Sequence, residues 1–182
     1  MEIITVNIII DRKINLKYVD LCFQIGKYTM YKLDQTDKRI LEILQTDSNQ
    51  SIKQIASQLN LTNTPVHERI KKLEKSGIIE GYSANIDVKK IGKELMIFTN
   101  VSLKEHTKEY LLNFETKIQQ LKEVIECHHV SGEHDYFLKV LVKNMDDYRD
   151  FLTNKLAKIA NIGNVHSSFV VGEVKKKAVV YV

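Results

Sequence analysis

An α+β chain in two parts, a winged helix-turn-helix followed by a ferredoxin-like βαββαβ domain, is the fold class the sequence predicts. Three observations carry that reading. The stretch 51–81, SIKQIASQLNLTNTPVHERIKKLEKSGIIEG, spells two short helices, a turn and the start of a wing. Just before it, Ile40, Leu41 and Leu44 form a helical stripe behind Asp34 and Asp37, which are spaced as a cap and its third residue. Beyond residue 94 the pattern becomes short alternating runs separated by helical stripes.

Each helix of the first part has its own start and stop. Ser51 with Gln54 is a capping box, so a helix begins at Ile52 and runs to about Leu59, with Ile52, Ile55, Ala56 and Leu59 inward. Asn60 sits where the chain must turn, and Asn tolerates the left-handed conformation. Thr62 is a suitable N-cap for the next helix, and Pro65 falls in its first turn, where a missing N–H does no harm. Val66, Ile70 and Leu73 recur at helical spacing, and Gly77 supplies the stop.

The outward residues of this second helix are the first candidates for function. Asn63, Thr64 and His67 lie near its N-terminus, where a recognition helix meets base edges in the major groove. Arg69, Lys71, Lys72 and Lys75 follow as positive groups suited to phosphates. Ser51 and Lys53, at the start of the preceding helix, and the cap Thr62 complete the set of candidate DNA contacts. The alternative is a solvated basic helix face.

These residues carry a family resemblance. The run 34–41, DQTDKRIL, is similar to the opening of the leucine-responsive and asparagine-responsive (Lrp/AsnC) transcription regulators. The run 61–79, LTNTPVHERIKKLEKSGII, resembles their recognition helix and its exit, with Thr62 where the family usually has Ser and Asn63 where it often has Pro. A second motif, VIECHHVSGEHDY at 124–136, resembles the centre of the family's effector-binding domain. The resemblance spans residues 33–182 and implies a DNA-binding regulator that dimerises through its second domain, with dimers often assembling into octamers.

Composition agrees without deciding. The chain has 182 residues, enough for one large or two small domains, and its 43% hydrophobic and 27% charged content is that of an ordinary globular protein. A formal charge of +4 is too small to argue for nucleic acid by itself, and the helical part also carries Asp34, Asp37, Glu42, Asp47, Glu68, Glu74 and Glu80. What counts is the local cluster on one helix. Two cysteines, Cys22 and Cys127, suggest no disulfide scaffold and fit a reducing cytoplasm. No apolar run approaches membrane-spanning length, so no membrane partner is expected.

Residues 1–29 fit poorly with the rest of the chain. The Ile-rich start is interrupted by Asp11, Arg12 and Lys13, the reverse of the charge order in a signal peptide. Met30 precedes the family-like segment, so it is the expected natural start, with 1–29 an upstream extension or a poorly ordered arm. The alternative is an N-terminal strand that pairs with a partner. The helix-turn-helix domain is then 30–87, with 78–87 an extended wing or linking segment, and 88–93, which contains Lys89, Lys90 and Gly92, is a hinge.

The domain 94–182 reads as strand 95–103, a helix capped by Thr107 with the stripe Leu111, Phe114, Ile118 and Leu121, and strands 124–130 and 136–142 joined by a tight connection. A helix marked by Tyr148, Phe151, Leu152, Leu156 and Ile159 comes next, then a strand at about 166–171 and a further strand or tail at 174–182. Helices cover one face of such a sheet. Phe98 and Asn100 alternate with Ile97, Thr99 and Val101, so an open apolar face favours a second subunit. Two recognition helices in a dimer then read a pseudo-palindrome.

Cys127, His128, His129, His134 and Asp135 raise a metal site as the sharp hypothesis. Strand alternation works against it, since Cys127 and His129 share one face and His128 points to the other. The family tolerates similar residues at Cys127 and His128 without metal. No metal and no cofactor are therefore expected. The loop Ser131, Gly132, Glu133, His134 and Asp135 is the better candidate. Gly132 can leave main-chain N–H groups open to a small carboxylate, and Asp135 can accept from an α-amino group or from loop amides. A plain hairpin, with Asp135 satisfying the turn, is the alternative. The resemblance implies that this loop lines a pocket for an amino acid or similar metabolite between dimers, with Gly132 and Asp135 matching the motif and Ser131, Glu133 and His134 beside it.

An enzyme is not expected. There is no placeable carboxylate pair, no Gly-rich phosphate loop and no Ser-His-Asp set in context. The competing class is an amino-acid-binding interaction module without DNA function.

Overall fold

A computed structural model of the chain describes residues 31–175 and residue 180. The expectations for 1–29, and for most of the tail beyond 175, lie outside the described residues. Of those described, the residues up to Tyr82, with Val180, form one compact unit, and those from Ser83 to 175 form a second.

The first unit holds three helices, α1 (Gln35–Thr46), α2 (Ile52–Leu59) and α3 (Asn63–Lys75). The expected Ser51 capping box forms, and Asp34 and Asp37 close a second one. The Asp37 amide donates to Asp34 Oδ1 at 2.8 Å and the Asp34 amide to Asp37 Oδ2 at 3.3 Å. The Ser51 and Gln54 pair closes in the same reciprocal way at 2.8 and 3.3 Å. Asn60 is left-handed at φ 54°, which reverses the chain between α2 and α3. At the end of α3, Gly77 has φ +75°, its N–H donates to the Glu74 carbonyl, and the Ile78 N–H reaches the Leu73 carbonyl. That pair of bonds is a Schellman stop and needs the glycine. The core is small and aliphatic: Ile40, Leu41, Ile55, Ala56, Val66, Ile70 and Leu73. Thr62 stands at the N-cap of α3 with extended backbone, but its hydroxyl makes no capping bond. The segment 80–87 that follows forms no helix and no wing strand. At 88–92 the chain makes a turn, closed by the Lys93 N–H on the Val88 carbonyl at 2.9 Å.

The second unit is β1 (Leu95–Leu103), α4 (Lys108–Ile118), β2 (Val124–His129), β3 (Tyr136–Val142), α5 (Met145–Asp150) and β4 (Ile162–Phe169). The strands form one antiparallel sheet in the order β2-β3-β1-β4, the ferredoxin-like arrangement. Ile97, Thr99, Val101, Tyr136, Leu138 and Val140 point to the helix side and are buried with Phe114, Ile118, Tyr148 and Phe151. Within this core Tyr148 links Thr99 at 3.0 Å and Ser167 at 2.5 Å, so the one buried neutral polar side chain among the described residues, Thr99, is satisfied.

Two expectations shift at the second crossover. The helix expected from Tyr148 to Ile159 becomes α5, then a π turn at Phe151–Lys155 and a 3-10 turn at Leu156–Lys158. Buried Phe151 and buried Leu156 are five residues apart, and a wide turn is what keeps both on the core side. β4 starts at Ile162, four residues before the expected position. Gly163 is the reason: a Cβ there would stand 3.0 Å from the Ser102 carbonyl oxygen, so this loop-like residue lets the strand approach β1 closely.

Candidate nucleic-acid interface and effector loop

On α3 the buried residues Val66, Ile70 and Leu73 define the inner face. Thr64, His67, Lys71 and Lys75 recur at three- and four-residue steps on the opposite side, and all are exposed. Asn63 is exposed at the first turn, beside the uncapped N-terminal amides. Ser51, Lys53 and Thr62 are exposed as well. Lys71 Nζ lies 3.0 Å from Glu74 Oε2, and Tyr82 donates to the other oxygen of Glu74 at 3.0 Å. These two bonds, Lys71 first, hold the Glu74 carboxyl below its ordinary pKa.

Arg69 and Lys72 lie off this stripe, on the flank nearest the start of α1. Arg69 Nη1 contacts Asp34 Oδ2 at 2.5 Å and Asp37 Oδ1 at 2.7 Å. Asp37 is 4% exposed. The Asp37 amide, then the Arg69 guanidinium, hold the Asp34 carboxyl below the usual carboxylate range, and the two carboxylates raise Arg69 in turn. Lys72 Nζ stands over the Tyr31 ring, 5.0 Å from its centre. Charge alone groups Arg69 with the lysines of α3. Its position two residues from His67, about 200° round the helix, is the sign in the sequence that it faces elsewhere.

In the second unit the loop joining β2 and β3 is pinned at its exit. The Val130 N–H donates to the Asp135 carbonyl at 2.9 Å, and the Asp135 N–H to the Val101 carbonyl at 3.0 Å. The Asp135 carboxylate leaves its own hairpin: Oδ2 accepts from the Leu103 N–H at 2.7 Å and Oδ1 meets His106 Nε2 at 2.8 Å. His134 Nδ1 lies 3.1 Å from Ser102 Oγ, and its ring centre is 5.3 Å from that of His166. Ser131, Gly132 and Glu133 are exposed, with Gly132 at φ +126° and nothing within 4 Å of where its Cβ would be. His106 is not among the residues the sequence singles out. It falls outside the motif, and only the strand register brings it to Asp135.

The Cys127 to Asp135 group does not converge. Cys127 and His129 pair opposite Leu138 and Tyr136 on the helix side, whereas His128 pairs opposite Phe137 on the open side. His129 stacks on Tyr136 at 4.7 Å, and the Tyr136 hydroxyl donates to Glu115 at 3.0 Å. Burial, then the Glu115 charge, push the Cys127 thiol up to about 11, so it is protonated at neutral pH. Among the described residues no three His, Cys, Asp or Glu are placed to hold a metal ion. The open face carries Phe98 stacked on Phe137 at 5.1 Å, flanked by the Lys139–Glu126 pair at 2.9 Å.

Comparison with known proteins accounts for both units. Residues 33–80 match the family model described as winged helix-turn-helix DNA-binding. Residues 96–180 match the Lrp/AsnC ligand binding domain. The chain is 35% identical over 140 residues to the Bkd operon transcriptional regulator of Pseudomonas aeruginosa, covering 77% of this chain and 92% of that one. It is 34% identical over 144 residues to the leucine-responsive regulatory protein of Escherichia coli, covering 79% and 88%. Among solved structures, a transcriptional regulator from Neisseria meningitidis in complex with L-Met superposes with a TM-score of 0.79 at 28% identity, covering 82% and 96%. An AsnC family transcriptional regulator from Agrobacterium tumefaciens gives 0.76 at 32%, covering 80% and 95%. No helix among the described residues is long and apolar enough to cross a membrane. With both family models matched in order and relatives this similar along most of its length, the chain belongs to the Lrp/AsnC family of transcriptional regulators.

Proposed function

We propose that this regulator reads double-stranded DNA through the outward stripe of α3, as a homodimer or larger homo-oligomer, and that an amino acid or related metabolite at the 131–135 loop shifts its assembly. The observation that carries the reading is the exposed series Asn63, Thr64, His67, Lys71 and Lys75 on one side of α3, opposite its buried face. Near the N-terminus of a recognition helix, Asn63, Thr64 and His67 have the donors and acceptors for base edges. Lys71 and Lys75 supply charge for the phosphates. The open sheet face, with Phe98 against Phe137 and the Lys139–Glu126 pair beside them, suits a second copy of the chain.

For the effector, the L-Met complex of the Neisseria regulator and the leucine response of the Escherichia coli protein favour an α-amino acid. The Ser131 to Asp135 loop offers main-chain N–H groups for its carboxylate. Asp135 offers Oδ1 for its ammonium group once His106 moves aside, while the Leu103 N–H keeps Oδ2. A ligand acts only by binding one assembly better than another.

The test is a fluorescence-anisotropy titration of the whole chain against its own upstream DNA and an unrelated duplex at two salt concentrations, repeated with L-leucine and L-methionine. Tight, salt-dependent preference for the upstream duplex is the expected result. A well-folded oligomer that binds neither duplex would leave the ligand-binding module as the better reading. Asp135→Ala is expected to abolish an amino-acid-induced change in assembly while DNA preference persists; a full response in that variant moves the pocket elsewhere.

A further inference from the structure

Two acidic residues stand close to the recognition helix, where unpaired negative charge would oppose DNA, and each has a defined partner. Asp34 and Asp37 close the capping box of α1 with two of their oxygens and take Arg69 with the other two. The four bonds make a closed ring that crosses 32 and 35 residues of sequence and ties the start of α1 to the middle of α3. Asp37 is almost fully buried, and the Arg69 side chain is 35% exposed.

The rest of the contact between α1 and α3 is aliphatic. Ile40 and Leu41 meet Val66, Ile70 and Leu73 in the shared core, and apolar packing of this kind has no preferred direction. Charge-assisted hydrogen bonds do have one. With side chains reaching about 5 Å from the helix axis, a rotation of about 10° carries the tip of His67 or Asn63 about 1 Å, enough to lose a hydrogen bond to a base edge. The ring therefore sits where it can set the rotation of α3 about its own axis.

We infer that Asp34, Asp37 and Arg69 are positioning residues that aim α3 for base reading, and that Arg69 is not a phosphate contact. The inference rests on the DNA-reading role proposed above for α3. It carries a sign that simple electrostatics does not. Removing a carboxylate beside DNA ordinarily tightens binding to every sequence. Loss of an aiming carboxylate instead weakens binding to the chosen sequence.

The experiment uses the full chain and a duplex that the wild type itself selects from a randomised pool, with an unrelated duplex of equal length, over a range of salt. Circular dichroism confirms folding of each variant. Arg69→Gln and Asp37→Asn are each expected to lower the preference for the selected duplex tenfold or more. On the unrelated duplex the slope of log affinity against log salt should stay unchanged, and the double variant should do no more than either single one. Lys71→Gln, the phosphate control, should reduce that slope by about one on both duplexes. Asp34 is half exposed, so Asp34→Asn is the variant safest from misfolding, and a several-fold loss of preference is expected from it.

Three results would overturn the inference. If Arg69→Gln lowers the salt slope on both duplexes while Asp37→Asn and Asp34→Asn tighten both, Arg69 is a phosphate contact. If the variants keep wild-type preference and lose only thermal stability, the ring is a stability device. If the wild type selects no sequence from the pool, the DNA reading of α3 fails, and the inference with it.

Discussion

The two units of this chain hold their shape by different means. The sheet unit buries large rings, Phe114, Tyr136, Tyr148 and Phe151, between the helices and one side of the sheet. The helical unit buries only aliphatic side chains in its core among the described residues, and it relies on end-of-helix chemistry: two capping boxes, a Schellman stop and the Arg69 ring. The sheet unit is therefore set by volume. The helical unit is set by polar ties at a few points, each replaceable by single-residue changes, and it is the unit whose orientation has to match another molecule.

That contrast breaks most readily in the sheet unit. Phe151→Ala removes a fully buried ring and should cost about 3–5 kcal/mol, read as a lower urea midpoint in circular dichroism. A loss below about 1 kcal/mol would mean that the second crossover repacks around the wide turn. Tyr148→Phe is a finer cut, since it keeps the ring and strands the hydroxyls of Thr99 and Ser167; about 1–3 kcal/mol is expected from the same measurement. In the helical unit, Ser51→Ala removes one half of a solvent-exposed box and should cost about 1 kcal/mol. Ser51→Asp, which keeps the cap, should restore it.

The smallest effect is a dependence on pH. Asp34 has a lowered folded pKa, because the Asp37 amide and Arg69 favour its ionised form. Its contribution is therefore present above the unfolded value of about 4 and is lost as the pH falls through the folded pKa. Wild type should exceed Asp34→Asn in stability at neutral pH, and the gap should close in acid. A gap that persists in acid below the folded pKa would mean that the asparagine fails for some reason other than charge.

Much of the architecture is legible in the sequence, for reasons that differ by element. β1 and β3 have the bounds their alternation predicts, because one face of each is buried against helices and period-two patterning is then strong. The α2 and α3 ends are legible because Ser51, Gln54, Asn60 and Gly77 act within one turn of themselves. β4 begins earlier than expected because Gly163 reads locally as a turn residue, and its role depends on a carbonyl of another strand. The wide turn after α5 is hidden for the same reason: a five-residue spacing makes sense only when the core it faces is known. Asp135 is readable as a hydrogen-bond acceptor, but its partners Leu103 and His106 are about 30 residues away and arrive by register. Arg69 shows the limit of composition: its charge puts it among the lysines, while its helical phase brings it to Asp34 and Asp37 at the start of α1.

The distance in sequence between Arg69 and its two aspartates has an evolutionary side. Base-contacting positions are under the direct constraint of every operator a regulator serves, so changing one of them disturbs all sites together. A residue that only tilts the reading helix offers lineages another dial, placed at the front of a different helix and subject to gradual adjustment. If the ring aims α3 as inferred, substitutions at 34 or 37 shift the ranking of target sites while Asn63, Thr64 and His67 stay as they are.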